Sequence, residues 1–419
     1  MTQNLRPIAS LLLSVALLLA GNGLQFTLLP LRGRSEGFGT LALGIIAAAY
    51  YAGFVSGCLL GPYAIVRAGH IRAFAAMVAV AAAATLAYAL VPDPLAWIVL
   101  RLITGFALAG FFLVIESWLN DRAGNENRGL VMSSYVAINF AAIVAGQLLV
   151  TVYPVEQDGN FMLSAILCSL AIVPVAMTRS AQPAPITIVQ FRPDVLYRAA
   201  PVALVASFMI GIANGAFWGL APLSAAGSGL DHDEVAVFMS VSVMAGALMQ
   251  WPVGRLSDRF DRRMVLLVLL SGAALTGIAL WLLAATGPLL LGFGFVFGAL
   301  TLPTYSLAAA HAYDKTAASD LVPAAATILL VNGVGAVLGP LFATAVMTVE
   351  GPRRLFLFIA AIQAALAAYV YYRVRTQAPP QPVEKTGFDL AATAPVGAVV
   401  VSDADEATAS DHVLQPAPQ

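Results

Sequence analysis

Asn22-Gly23-Leu24-Gln25-Phe26-Thr27-Leu28-Leu29-Pro30 returns 192 residues later as Asn214-Gly215-Ala216-Phe217-Trp218-Gly219-Leu220-Ala221-Pro222. Both copies read Asn-Gly, two residues, an aromatic, one residue, Leu, one residue and Pro. Each lies inside a long apolar run, where an amide has no obvious reason to be. The same offset carries Arg67 onto Arg259 and His70 onto Arg262, and a shift of 193 carries Asn139 onto Asn332. The chain reads as two related halves.

Composition says where those halves sit. Hydrophobic residues make up 60% of the chain and charged ones only 10%, against roughly 25% charged in soluble domains. One soluble core cannot hide that much apolar surface with so few charges to cover it. Runs of about twenty apolar residues, each enough for a ~30 Å hydrocarbon layer, recur throughout. The expectation is an all-α polytopic membrane protein. The first run is too long for a signal-peptide core and is read as a retained helix. Cys58 and Cys168 fall in apolar spans, at no metal or redox spacing, and read as packing residues.

Breaks at Gly, Pro and charge clusters leave twelve spans, roughly 8–31, 40–66, 72–92, 95–120, 130–153, 159–178, 198–222, 233–254, 264–285, 287–312, 320–347 and 352–373. Six spans separate the two copies, so the halves are parallel repeats related by an axis along the bilayer normal. The expected organisation is a six-helix bundle over 1–178, a linker over 179–197, a second bundle over 198–373 and a disordered acidic tail over 374–419. With the N-terminus in the cytoplasm, sixteen Lys and Arg fall on the inner side and four (Arg32, Arg34, Arg353, Arg354) on the outer; Arg101 lies within a span. That asymmetry places both termini in the cytoplasm.

The segment Gly254-Arg255-Leu256-Ser257-Asp258-Arg259-Phe260-Asp261-Arg262-Arg263 follows the eighth span. It resembles the signature loop of the major facilitator superfamily, Gly-x-x-x-Asp-Arg-x-Gly-Arg-Arg or Lys, with Asp261 at the second Gly. The first-half copy is degenerate, keeping Gly61, Arg67, Gly69, His70 and Arg72. The Arg67-x-Gly-His-x-Arg72 loop, Glu116-Ser-Trp-Leu-Asn120, Pro303-Thr-Tyr-Ser-Leu307 and Ala310-His-Ala-Tyr-Asp314 resemble a bacterial branch of these permeases described only as transporters of unknown substrate. The resemblance implies that Arg67, His70, Arg72, Gly254, Asp258, Arg259, Arg262 and Arg263 act in gating. The competing account of the arginines is positive-inside topology, but topology needs no acid at Asp258.

Arg101 and Glu116 lie on one stripe of the fourth span, about 22 Å apart, too far to pair. An Arg in hydrocarbon costs at least ~2.5–3.5 kcal/mol on insertion scales. It therefore faces protein or a wet cavity, or else snorkels to the interface. Arg101-x-x-x-Gly105 resembles a fourth-span motif linked in the superfamily to proton coupling. Glu116 reads as a gate partner of Arg67 or Arg72, or as a proton carrier, with Trp118 beside it as an interfacial belt residue. His311, near Asp314, is a third candidate for coupling. The family cavity implies that Asn22, Gln25, Arg101, Asn214, Trp218 and Tyr305 contact substrate. Helix-to-helix hydrogen bonding competes for the amides, with Asn139 and Asn332 the most suited to it.

No Gly-x-x-x-x-Gly-Lys-Ser/Thr loop occurs, so an ion gradient, by default protons, replaces ATP as the driving force. No cofactor, metal or catalytic cluster is expected. The reading is a monomeric secondary transporter of a small neutral or amphipathic solute in a bacterial inner membrane, contacting lipid and no nucleic acid. The alternatives are an efflux antiporter and a non-transporting sensor. The fifth span lacks the Gly-Pro-x-x-Gly-type motif of drug–proton antiporters, which tilts the reading away from multidrug export.

Overall fold

The computed structural model describes residues 8–123, 128–177, 183, 186–188, 191–283, 287–317, 320–376 and 400–402. Among the described residues, twelve helical spans are long and apolar enough to cross a membrane. In order they are Ala9–Ser35, Thr40–Ala68, His70–Leu90, Pro94–Arg122, Gly129–Val152, Gly159–Ala176, Pro201–Ala226, His232–Arg259, Arg262–Leu282, Gly287–Lys315, Leu321–Val349 and Arg354–Thr376. They are called the first to twelfth spans below. The bundle end that carries the central linker is the linker face; the other is the far face.

Local chemistry sets several helix ends. Asp93 caps the fourth span by accepting from the Ala96 N–H at 3.0 Å, and Pro94 follows at the first helical position. Asp231 and Glu234 form a reciprocal capping box at the start of the eighth. The tenth span is broken, running Gly287–Thr301 and then Thr304–Lys315, with Pro303 at the break.

Two ends lie further along the chain than their prolines suggest. The first helix continues past Pro30 to Ser35. Arg32 there meets Glu36 at 2.7 Å, Asp158 at 3.2 Å and the Val155 carbonyl at 3.1 Å, so its charge is satisfied inside the helical turn. The eighth helix continues past Pro252 to Arg259. Gly254 to Arg259, expected as loop, is therefore helical, and only Phe260 and Asp261 separate the eighth span from the ninth. Packed neighbours let membrane helices tolerate such prolines.

The halves repeat in their packing as well as in their sequence. In each, the first span packs on the fifth, the second on the fourth and the third on the sixth, and the seventh to twelfth repeat these pairs. Glycines permit the approach. A Cβ on Gly23 would lie 2.6 Å from the Ile143 carbonyl oxygen, and one on Gly215 would press against the Ala336 carbonyl oxygen. From the facing helices, Gly146 abuts the Ala20 carbonyl and Gly339 the Ile212 carbonyl. Gly23 and Gly215 are related by the 192-residue offset of the opening motif, and Gly146 and Gly339 by the 193-residue shift that carries Asn139 onto Asn332. Small residues at helix crossings are how membrane helices gain close packing.

Across the seam between halves, the second span packs on the eleventh, the fifth on the eighth and the first on the seventh. Toward the far face one apolar core contains residues of both halves, among them Leu28, Leu43, Phe217 and Leu220. Toward the linker face the cores are separate: one holds Phe74, Phe111 and Leu113, joined from the other half by Ala326, Leu329 and Leu330, and another Val202, Leu266 and Val370. Cys58 and Cys168 are buried free thiols. Trp118, expected at the interface, is fully buried in the first-half core instead.

In the linker, β1 (Ile186–Ile188) pairs antiparallel with β2 (Val400–Ser402) from the tail. The Arg192 N–H donates to the Thr327 hydroxyl at 3.1 Å, and its side chain lies 3.6 Å from Asp320. The expected disordered tail over 374–419 is helical at its start, since the twelfth helix continues to Thr376; residues 377–399 and 403–419 lie outside the described residues.

Candidate substrate cavity

A cavity of about 270 Å³ lies on the seam between halves, midway along the spans. The first, second and fourth spans supply Phe26, Tyr50, Tyr51, Phe54 and Phe112, and the seventh supplies Trp218. Asn22 and Asn332 are its amides. Asn22 Nδ2 donates to the Tyr50 hydroxyl at 3.5 Å, and Asn332 Nδ2 to the Ser207 carbonyl at 2.9 Å. A larger groove of about 570 Å³ runs between the fifth and eighth spans. Its rim residues Leu148, Met244, Leu248 and Trp251 are exposed, so it opens on the outside of the bundle.

The aromatic positions of the opening motif close the cavity toward the far face. Phe26 and Trp218, equivalent under the 192-residue offset, have ring centroids 5.5 Å apart. Beyond them, a Cβ on Gly219 would lie 2.7 Å from Ala47, and Gly44 abuts Thr344. Only a void of about 10 Å³ remains there, lined by Arg101 and by Phe26, Tyr50, Tyr51 and Trp218, which also wall the main cavity.

Arg101 is 4% exposed. Its Cζ lies 4.9 Å from the Tyr50 ring centroid and 5.5 Å from that of Phe26. Cation–π contacts of this kind contribute ~2 kcal/mol when desolvated. Its Nε and Nη1 have no hydrogen-bond partner. Arg101 thus faces the protein interior rather than snorkelling to the interface.

Of the expected substrate contacts, Asn22, Trp218 and Arg101 come together here. Gln25 lies elsewhere: its Nε2 donates to Thr85 and Ser164, at 3.0 Å each, and ties the first span to the third and sixth. Asn214 lines a tight crevice inside the second half, with Leu270, Thr301 and Gln363. Tyr305 packs against the second-half cores. Tyr50, Tyr51, Phe54 and Phe112 were missed as cavity residues; the Tyr50-Tyr51 pair in mid-span, with Phe54 a turn later, is the signal that marks them. Asn332, assigned to helix-to-helix bonding, does that and lines the cavity too.

Near the linker face, Glu116 is fully buried and accepts a 2.6 Å hydrogen bond from the Tyr135 hydroxyl. Arg67 and Arg72, its expected gate partners, are exposed. His70 Nε2 lies 3.3 Å from Ser117 Oγ. In the second half Arg262 is buried, with Nε 2.7 Å from Asp314 Oδ2, Nη1 3.2 Å from Ser257 Oγ and Nη2 3.7 Å from Asp258. Arg259 is exposed, and His311 is buried on the tenth span. The ninth span begins at Arg262, and Asp261 caps it, accepting from the Arg263 N–H at 2.9 Å and from its guanidinium at 2.7 Å. A cap that also holds Arg263 explains an acid where the signature has Gly.

Burial alone would raise the Asp261 pKa, but the bonds from Arg263 outweigh it and hold the carboxyl below 3.8. A folded-state pKa below the unfolded one gives stabilisation that is present above the unfolded pKa and lost as pH falls through the folded pKa. Asp261→Asn should therefore lower the melting temperature of the purified protein by a constant amount between about pH 5 and 8, with the gap closing below about pH 3.8. Melting curves of both proteins across that range test this; a gap that widens in acid contradicts it.

A family model, the Major Facilitator Superfamily, matches residues 11–199 and 203–407. A protein of Escherichia fergusonii described as the uncharacterized MFS-type transporter YcaD is 30% identical over 359 residues, 85% of this chain and 93% of its own length. The YcaD protein of Shigella flexneri matches to the same extent. Among solved structures, a variant of the nucleoside transporter NupG has a TM-score of 0.76 at 14% identity, covering 87% of this chain and 99% of its own. A D-xylose–proton symporter has a TM-score of 0.65 at 14% identity, covering 90% and 99%. At these identities the structural likeness shows the fold alone.

Proposed function

Because the chain belongs to the major facilitator superfamily, we propose that it is a secondary active transporter moving a small neutral or amphipathic solute by alternating access. The observation that carries this reading is the aromatic cavity on the seam, lined by both halves and closed toward one face. Two bundles that rock about such a seam expose the cavity to each side in turn. The Lys and Arg asymmetry puts the linker face in the cytoplasm of a bacterial inner membrane, so the closed side is the outer one.

Proton coupling is part of the proposal. Glu116 is an acid sealed from water, with Tyr135 as a hydrogen-bond partner. A change in its charge alters the balance of the packed spans around it, which links protonation to conformation. The D-xylose–proton symporter is a precedent on this fold for driving a solute with protons. Arg101 sits at the closed side of the cavity, where solute and gate meet.

Reconstitution in proteoliposomes with an imposed pH gradient, screened against a panel of small solutes, tests the reading. The expected result is gradient-driven accumulation of one solute class. Glu116→Gln should abolish accumulation while leaving exchange of labelled solute across the membrane. Accumulation that survives Glu116→Gln and proton uncoupling together removes the coupling assignment. No flux for any class, in protein that melts normally, favours a non-transporting sensor.

A further inference from the structure

We propose that the cavity takes a monoanionic amphiphile, a small carboxylate with an aromatic or apolar body, whose anionic head sits on Arg101. This rests on the transporter reading and narrows its solute class from neutral or amphipathic to anionic.

The argument begins with an unbalanced charge. Arg101 is buried, and no carboxylate lies within 4.0 Å of it among the described residues. Glu116, on the same helix, is about 22 Å away along the axis. The nearby cation Arg32 shows the contrast, since it holds both Glu36 and Asp158. Buried charges are normally paired because an isolated ion loses its hydration without compensation. At Arg101 the protein offers only the rings of Tyr50 and Phe26.

Those rings leave hydrogen-bonding capacity unused. A guanidinium has five N–H donors in a planar fork that matches a carboxylate bidentately. Nε and Nη1, on different edges of that fork, are both buried without a hydrogen-bond partner. A carboxylate against either edge supplies an acceptor to one of them and the missing counter-charge. The void beside Arg101, at about 10 Å³, is small and shares its walls with the main cavity. It holds at most about one water, so a head group reaches Arg101 from the main cavity as Phe26 and Trp218 part.

The rest of the cavity selects the body. Its walls are aromatic and aliphatic, and its amides, Asn22 and Asn332, carry no charge. The absence of a lining acid disfavours cations, and the single Arg beside the cavity leaves the second charge of a dianion uncompensated. At about 270 Å³ the space falls just below the roughly 300–1,000 Å³ of pockets for drug-sized ligands, which calls for a small solute.

Binding to the full-length protein in lipid nanodiscs, measured by equilibrium dialysis and thermal shift, tests this with a charge series on one ring. The probes are benzoate, neutral benzamide, cationic benzylamine and dianionic phthalate. Benzoate should bind at least about tenfold more tightly than the other three, the size of a charge-assisted hydrogen bond gained or lost. Arg101→Gln should abolish that preference, and Arg101→Lys should keep it with weaker binding. If Arg101→Gln does not fold, the wild-type series and Arg101→Lys still decide. Benzoate binding no tighter than benzamide, or a benzoate preference unchanged in folded Arg101→Gln, overturns the proposal. Because binding is read without flux, the outcomes separate. Neutral-solute transport without anion preference defeats this inference alone, and anion binding without flux defeats the transporter reading.

Discussion

Gly105→Leu should leave almost no folded protein. A Cβ at this position would collide with the Tyr50 carbonyl oxygen and lie 2.9 Å from the Phe54 N–H nitrogen. Both obstacles are backbone of the second span, so no rotamer change relieves them. The facing helix approaches in the same way, with Gly53 against the Leu102 carbonyl. Overpacking a core ordinarily costs ~1–3 kcal/mol because side chains give way; here two helices must separate and the cost is higher. Gly298, 193 residues on, meets the Ser242 carbonyl in the second half, and Gly298→Leu should fail to the same degree. Gly129 and Gly292 have nothing within 4 Å of an added Cβ and serve as controls. The measurement is the monodisperse fraction after detergent extraction, with its melting temperature. Gly105→Leu protein as abundant and stable as Gly129→Leu would show that the second and fourth spans are not in backbone contact.

That prediction also shows what made the fold legible. The 192-residue echo is visible because backbone contact between helices demands glycine, and the demand recurs wherever the halves repeat a crossing. Span number and order follow from hydropathy, which the bilayer imposes without regard to partners. The substrate-facing residues were legible only in part. Asn22 and Gln25 are three residues apart on one helix, yet Asn22 lines the cavity and Gln25 bonds Thr85 and Ser164 on the other side. An amide reads alike in either setting, because what distinguishes them is the neighbour each side chain meets. Asn214 repeats Asn22 in sequence but lies in a crevice of its own half. The Phe26 and Trp218 positions of the same motif did come together, as a lid. Trp218 was legible as a cavity residue, but Tyr50, Tyr51, Phe54 and Phe112 escaped notice because in an apolar span they resemble core, and only the Tyr hydroxyls at 50 and 51 set them apart.

Arg262→Ala should destabilise the second half by about 3–5 kcal/mol, the cost of leaving one member of a buried ion pair without the other. Asp314 is as buried as Arg262, each side chain being 1% exposed, and they meet at 2.7 Å. Asp314→Ala should cost a similar amount, whereas Arg262→Met with Asp314→Leu should cost much less than the sum, since neither buried member of the pair is left behind and Asp258, which also loses Arg262, is 39% exposed. The double-mutant cycle, run on melting in one detergent, should therefore return a large coupling. A coupling below about 0.5 kcal/mol would mean the pair is not a unit. The same variants address the gating role that the signature motif implies. Arg262 bonds Ser257, Asp258 and Asp314, which ties the eighth, ninth and tenth spans to one another. A staple of that kind keeps the second bundle rigid while it moves against the first. Flux per folded molecule should then be unchanged in the Arg262→Met, Asp314→Leu protein at a temperature well below its melting point. A marked change in flux with stability preserved would instead assign the cluster to the gate.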